Sequence, residues 1–110
     1  MQLEVADRRF REIYRETERP VLAYFLRRTD ATSARDGAAE TFLVAWRRID
    51  EVPAGDQCLP WLYGVARKVL ANHRRSRDRY MALGRKLIHV DPTEESSPEV
   101  VVLRRAEDKE

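Results

Sequence analysis

Apolar residues recur every three to four positions in three separate stretches of this chain, and no stretch calls for a strand. That periodicity restricts the fold to amphipathic helices packed on one another. The first stretch begins near Asp7, where Phe10, Ile13, Tyr14 and Thr17 fall on one helical face. Pro20 interrupts it: lacking an amide proton and crowding the preceding turn, it either kinks this helix or opens a new one. Val21, Leu22, Tyr24, Phe25 and Leu26 carry the apolar pattern on to about Thr29 and Asp30.

Asp30-Ala31-Thr32-Ser33 reads as a connector, and Ser33 with Asp36 three positions later resembles a capping box. The spacing predicts a second helix from about Ala34 to Ile49. Ala34, Ala38, Phe42, Ala45, Trp46 and Ile49 make its buried stripe, and Asp36, Ala39, Glu40, Leu43 and Arg47 lie on another face. Phe42 and Trp46, four residues apart, read as core. From Asp50 to Pro60 the chain holds Pro53, Gly55 and Pro60 among polar neighbours, which predicts a loop. Pro60 suits the first position of a third long helix, with Leu62, Val65, Ala66, Val69 and Leu70 on its core side and Trp61 as a packing anchor at its start. Beyond Leu87 the pattern fails. Pro92, Glu94, Glu95, Ser96, Ser97 and Pro98 read as an acidic flexible linker, followed by a short apolar run from Val100 to Leu103. The expectation is an all-α fold, a compact bundle of three to four helices over residues 7–87, with a flexible acidic tail or connector over 88–110.

A chain of 110 residues has room for one small domain. Its 43% hydrophobic and 36% charged residues fit neither a disordered chain nor a membrane protein. No apolar run approaches the roughly 20 residues that span a bilayer, and the N-terminus lacks a signal pattern, so a cytoplasmic location is expected. Cys58 is the only cysteine and lies far from His73 and His89, which leaves no disulfide framework and no zinc spacing. There is no Gly-rich phosphate loop, no nucleophile with a neighbouring base and no ligand cluster. Neither catalysis nor a metal or other cofactor is expected.

The net charge of +2 conceals a strong segregation. Residues 61–87 hold eight Lys or Arg against one acid, Asp78, for a balance of +7, while residues 31–60 stand at −2 and 88–110 at −4. So one-sided a segment favours a polyanionic partner. Within it Arg67, Lys68, Asn72, Arg74, Arg75 and Arg79 include pairs at three- and four-residue spacing that share a helix face, one able to lie against a phosphate backbone. Asn72 adds an amide that can pair with a base edge as donor and acceptor.

Two segments resemble a known family. Asp36-Gly37-Ala38-Ala39-Glu40-Thr41-Phe42-Leu43-Val44-Ala45-Trp46 is similar to the polymerase-binding segment of extracytoplasmic-function sigma factors, of the sigma-70 family. Pro60-Trp61-Leu62-Tyr63-Gly64-Val65-Ala66-Arg67, followed by Asn72 and Arg74-Arg75, is similar to their promoter-recognition helix. With the upstream helix the resemblance covers about residues 7–87, the region 2 domain. It implies that the second helix docks on the clamp coiled coil of the largest subunit of RNA polymerase through Asp36, Ala39, Glu40, Leu43 and Arg47. Ala39 replaces the Gln common there and cannot make that residue's hydrogen bond. The resemblance further implies that the loop, at Ala54, Gly55, Asp56, Gln57 and Cys58, holds a base extruded from the non-template strand of the promoter's −10 element. Arg67, Lys68, Ala71, Asn72, Arg74, Arg75 and Arg79 then supply the DNA contacts of the helix. Lys68 stands where many relatives have Asn, so the sequence does not carry over a base preference. A factor of this family also has a C-terminal helix-turn-helix domain, which does not fit in residues 88–110, so the chain is expected to be a piece of a longer factor. An anti-sigma factor is a further expected partner. The competing reading is a helical protein-interaction module, for an anti-sigma factor or an adaptor, that never touches DNA and binds without regard to salt.

Overall fold

The computed structural model describes residues 2–90, which form three helices: α1 (Leu3–Leu26), α2 (Ala31–Arg47) and α3 (Cys58–Val90). Two 3-10 turns, Ile49–Glu51 and Gly55–Gln57, connect α2 to α3. Among the described residues there is no strand, and the all-α expectation holds. The proposed linker and the Val100 to Leu103 run lie outside the described residues, and α3 itself runs past Leu87.

α1 differs from the sequence expectation at its start, and of the two alternatives at Pro20 the opening of a new helix is excluded. It begins at Leu3, and Pro20 neither ends nor divides it. The cause is the stripe that spans the proline: Ala6, Ile13 and Thr17 before it and Val21 and Phe25 after it are all buried. Burying Val21 and Phe25 contributes roughly 1.5–3 kcal/mol each. Together these offset the roughly 3 kcal/mol that a proline inside a helix costs through its missing hydrogen bond and its crowding of the preceding turn, since most helix stability in a protein comes from packing of an amphipathic face. The Thr17 hydroxyl donates to the Ile13 carbonyl at 2.6 Å, so this buried polar group is satisfied inside the helix. At the end of α1 the amides of Arg28 and Thr29 both donate to the Phe25 carbonyl at 2.9 Å.

α2 starts three residues before the expected position. Asp30 is its N-cap, its carboxylate accepting from the Ser33 amide at 2.8 Å, so Ala31, Thr32 and Ser33 are first-turn residues rather than connector. The Ser33 and Asp36 capping box therefore does not form. Arg48 leaves the helix at φ −114°, and Ile49 is buried from the 3-10 turn rather than from α2. The loop is more ordered in backbone than expected. Gly55, at φ 66°, occupies the left-handed region that a glycine enters without strain. Val52 is buried, and Arg9 donates to its carbonyl at 2.7 Å, which ties the connection to α1. α3 begins two residues ahead of Pro60, which still lies in the first turn, where amide protons have no helical partner.

The core lies where the three apolar stripes meet, and the residues expected there are there: Ala34, Ala38, Phe42 and Ala45 from α2, Leu62, Val65, Ala66, Val69 and Leu70 from α3. Trp46 and Trp61 are half-buried against its edge. An aromatic cluster joins α1 to α2, with Phe10 edge-on to Phe42 and Trp46 and Tyr14 edge-on to Phe42 at 4.9 Å between centroids. On the other side Tyr24 of α1 stacks on Tyr63 of α3 at 5.5 Å.

The approach of α2 to α1 depends on Gly37. A Cβ there would lie 2.5 Å from the Phe25 ring, and Phe25 is fully buried. Gly37→Ala is expected to destabilise the domain by about 1–3 kcal/mol through overpacking. Gly64→Ala, where a Cβ meets nothing within 4 Å, is expected to stabilise α3 by about 0.4–1 kcal/mol. Urea unfolding of the two variants checks both signs; equal effects would mean that the Gly37 contact is not close-packed.

Candidate nucleic-acid and protein interface

The outward side of α2 follows from its inward side. With Ala34, Gly37, Ala38, Thr41, Phe42 and Ala45 buried, the 3.6-residue period sends Asp36, Ala39, Glu40, Leu43 and Arg47 outward, and all five are exposed. Leu43 is 45% exposed, a large apolar side chain in the middle of the stripe. Glu40 has an intramolecular partner: its Oε1 lies 3.0 Å from Nε2 of His73 on α3. The sequence reading missed His73, because no helical period relates residues separated by 33 positions. Beside Ala39, between α1 and α2, is a mostly apolar cleft of about 310 Å³ edged by Tyr14, Glu18, Leu22 and Arg35. In it Tyr14 donates to the Glu18 carboxylate at 3.0 Å, and that hydrogen bond, with partial burial and the nearby negative charge, raises the phenol above its ordinary pKa.

On α3, Arg67, Lys68, Ala71, Asn72, Arg74, Arg75 and Arg79 are all exposed, as the period requires once Leu62, Val65, Ala66, Val69 and Leu70 are buried. They do not form one uniform row. Lys68 and Asn72 border a second cleft of about 400 Å³ between α2 and α3, together with Glu40, Arg48, Trp61 and Gly64. The Asn72 side-chain oxygen accepts from Arg75, which leaves the amide NH2 as its available donor. Arg79 donates to the Ser76 hydroxyl at 3.3 Å, and Arg74 reaches back to the Arg28 carbonyl of α1 at 3.2 Å.

Gly55, Asp56 and Gln57 are exposed on the 3-10 turn that leads into α3, outside the lining of this cleft. Lys68 lies ten residues into the helix from Cys58, roughly 15 Å along its axis at 1.5 Å per residue. The structure thus groups Lys68 and Asn72 with Trp61 and Glu40 rather than with the loop.

Trp61 carries the Arg48 guanidinium over its ring at 5.3 Å. Arg48 in turn binds Glu51 at 2.6 Å, a contact that raises the guanidinium pKa and lowers that of the carboxyl. Burial pushes the Cys58 thiol upward, which disfavours the reactive thiolate. Among the described residues no group of three or more His, Cys, Asp or Glu side chains could hold a metal ion, and no helix is long and apolar enough to cross a membrane.

A helical body with an acid-and-leucine stripe on one helix and a cation-rich face on the next is an interaction domain that offers two chemically distinct surfaces. The Sigma-70 region 2 family model matches residues 13–80, from the middle of α1 through most of α3, and the chain belongs to that family. It is a family of transcription initiation factor domains that bind RNA polymerase and recognise promoters. Comparison with curated proteins and with solved structures gave no match.

The seam between α2 and α3 can be tested directly. A double-mutant cycle of Glu40→Ala and His73→Ala, read by urea unfolding at neutral pH, is expected to give a coupling of about 0.2–1 kcal/mol, the range of a partly exposed pair. Zero coupling would show that the 3.0 Å contact is not held in solution.

Proposed function

We propose that this chain is the region 2 domain of an extracytoplasmic-function sigma factor. In this reading α2 grips the clamp coiled coil of the largest polymerase subunit, while α3 and the turn before it capture the opened non-template strand of the −10 element. The observation that carries it is the joint exposure of two stripes on one helical body: Asp36, Ala39, Glu40, Leu43 and Arg47 on α2, and the cationic face at Arg67, Lys68, Arg74 and Arg75 on α3. Asp36 and Glu40, one turn apart, suit basic residues on a partner helix, and Leu43 supplies apolar contact area.

Extruding a base from the duplex costs a few kcal/mol, which pocket contacts and phosphate neutralisation can offset. On this reading the Gly55 turn and the α2–α3 cleft are two separate stations along the strand: the exposed turn holds the extruded base, and Lys68 and Asn72 meet the strand farther along α3. The domain contributes specificity and carries out no chemistry of its own. It works in the cytoplasm, where polymerase and chromosome meet. An anti-sigma factor that silences it would cover one or both stripes.

The test mixes the chain with a clamp coiled-coil fragment and with single-stranded −10 oligonucleotides. Asp36→Lys and Glu40→Lys are expected to weaken coiled-coil binding by about tenfold or more, since like charges then face each other. Asn72→Ala and Arg75→Ala are expected to weaken oligonucleotide binding by a similar factor while leaving the coiled coil alone. Coiled-coil binding that survives both reversals would remove α2 from the contact. Oligonucleotide binding indifferent to salt and to the α3 variants would favour a protein-only interaction module.

A further inference from the structure

The core-facing side of α3 continues past the point where it is covered. Eighteen residues make five full turns of an α-helix, so positions that far apart lie on one line along it. Val65, Val69 and Leu70 are buried, at 9%, 4% and 6% exposure, in one core with Val21, Phe25 and Phe42 of α1 and α2. The residues five turns farther on, Leu83, Leu87 and Ile88, are 53%, 54% and 42% exposed. Tyr80, five turns after the fully buried Leu62, is half-buried between the two groups. Apolar side chains scattered singly over a surface need no explanation, but three that prolong the line of the core within the last turns of one helix form a packing face still to be covered.

The charge beside this face is mostly of one sign: residues 77–87 carry Arg77, Arg79, Arg85 and Lys86 against Asp78 alone. A second copy would bring the same cations against them, and like charges set against each other disfavour such a pair. The chain itself holds a segment of the opposite character. Residues 91–99, outside the described residues, contain Asp91, Glu94, Glu95 and Glu99 and no base, and they lead to Val100, Val101, Val102 and Leu103, a run that the proposed function leaves unused. Nine residues of chain reach up to about 30 Å. Leu83 lies only about 10 Å back along the axis from Val90, at 1.5 Å per residue.

We propose that the face at Leu83, Leu87 and Ile88 is a docking site for the apolar run 100–103 of the same chain, with the acids of 91–99 set beside Arg85 and Lys86. Two matches select this occupant, an apolar run for an apolar face and an acidic connection for a basic rim. Exposed ion pairs contribute little energy, so the apolar contact supplies the affinity and the charges the orientation. The tether supplies the rest: a short connection holds the run at an effective concentration in the millimolar range, so a contact too weak to join separate molecules persists within one. The site is independent of the reading of α2 and α3 as polymerase and promoter surfaces.

Amide hydrogen exchange of the full chain, read peptide by peptide at two protein concentrations, tests the docking, with sedimentation velocity alongside. Val101→Asp with Leu103→Asp puts charge into the run and changes nothing in the three-helix core. Exchange across residues 80–88 is expected to speed by about tenfold or more in that variant, while α1 and α2 exchange as before. The reciprocal pair, Leu83→Asp with Leu87→Asp, alters only exposed side chains and is expected to speed exchange across 100–103. A monomer that shows both losses supports docking within one chain. Exchange at 80–88 that ignores the charged run overturns the proposal, whatever else covers the face. Protection that rises with protein concentration, together with a dimer in sedimentation, gives the face to a second copy and also overturns it.

Discussion

Phe25 occupies the space that Gly37 leaves open, and the orientation of the whole domain follows from that contact. It sets α2 close against α1, and the small residues around it, Ala34, Ala38, Thr41 and Ala45, lie on the same inward side. Once that side is fixed, the helical period leaves no choice about which residues face outward, and the acid-and-leucine stripe is the consequence. The same packing leaves room for Leu62 and Ala66 of α3, both fully buried, and their burial in turn rotates the α3 cations to the surface. The two presented faces are thus the reverse side of one core.

The faces are not independent, because they meet at Glu40 and His73. Glu40 belongs to the outward stripe of α2, yet it borders the α2–α3 cleft with Lys68 and Asn72 and is hydrogen-bonded across the seam. A cationic partner residue that reaches Glu40 must share or displace that contact. Similarly, Asn72 is held by Arg75, so engaging its oxygen at a base edge releases the Arg75 guanidinium for another acceptor. Both seams are at the surface, where exchanging one hydrogen bond for another costs little. Both partners therefore meet side chains already positioned by a neighbour.

How much of this was legible in the sequence depends on how far apart the interacting residues lie. The inward stripes of α2 and α3 are periodic patterns, and every residue named for them is buried or at the core edge. The N-cap of α2 was misplaced because Asp30 with Ser33 and Ser33 with Asp36 offer the same local signal three positions apart; where the chain leaves α1 decides between them, and that is a tertiary matter. Pro20 leaves two outcomes open in the sequence because its cost is local and visible, whereas the burial of Val21 and Phe25 that keeps α1 continuous is neither. The exposed site residues followed from the stripes, but the contacts of Glu40 with His73 and of Arg74 with Arg28 did not, since they join residues 33 and 46 positions apart with no repeat to announce them.

Charge contributes little to holding this fold together. The acid–base pairs are either local, as Arg11 with Asp7 and Arg48 with Glu51, or single exposed contacts between elements, and exposed pairs are worth about 0–1 kcal/mol. Among the described residues no buried side-chain nitrogen or oxygen lacks a partner, so the interior makes no electrostatic demand on the surface. Stability rests on the apolar seam, and guanidinium groups can therefore crowd the exposed face of α3, while Asp36 and Glu40 of α2 are matched by Arg35 and Arg47, without a penalty that the core cannot absorb. A pattern the fold does not require, and that concentrates like charges against their mutual repulsion, is best accounted for by the partners that neutralise it.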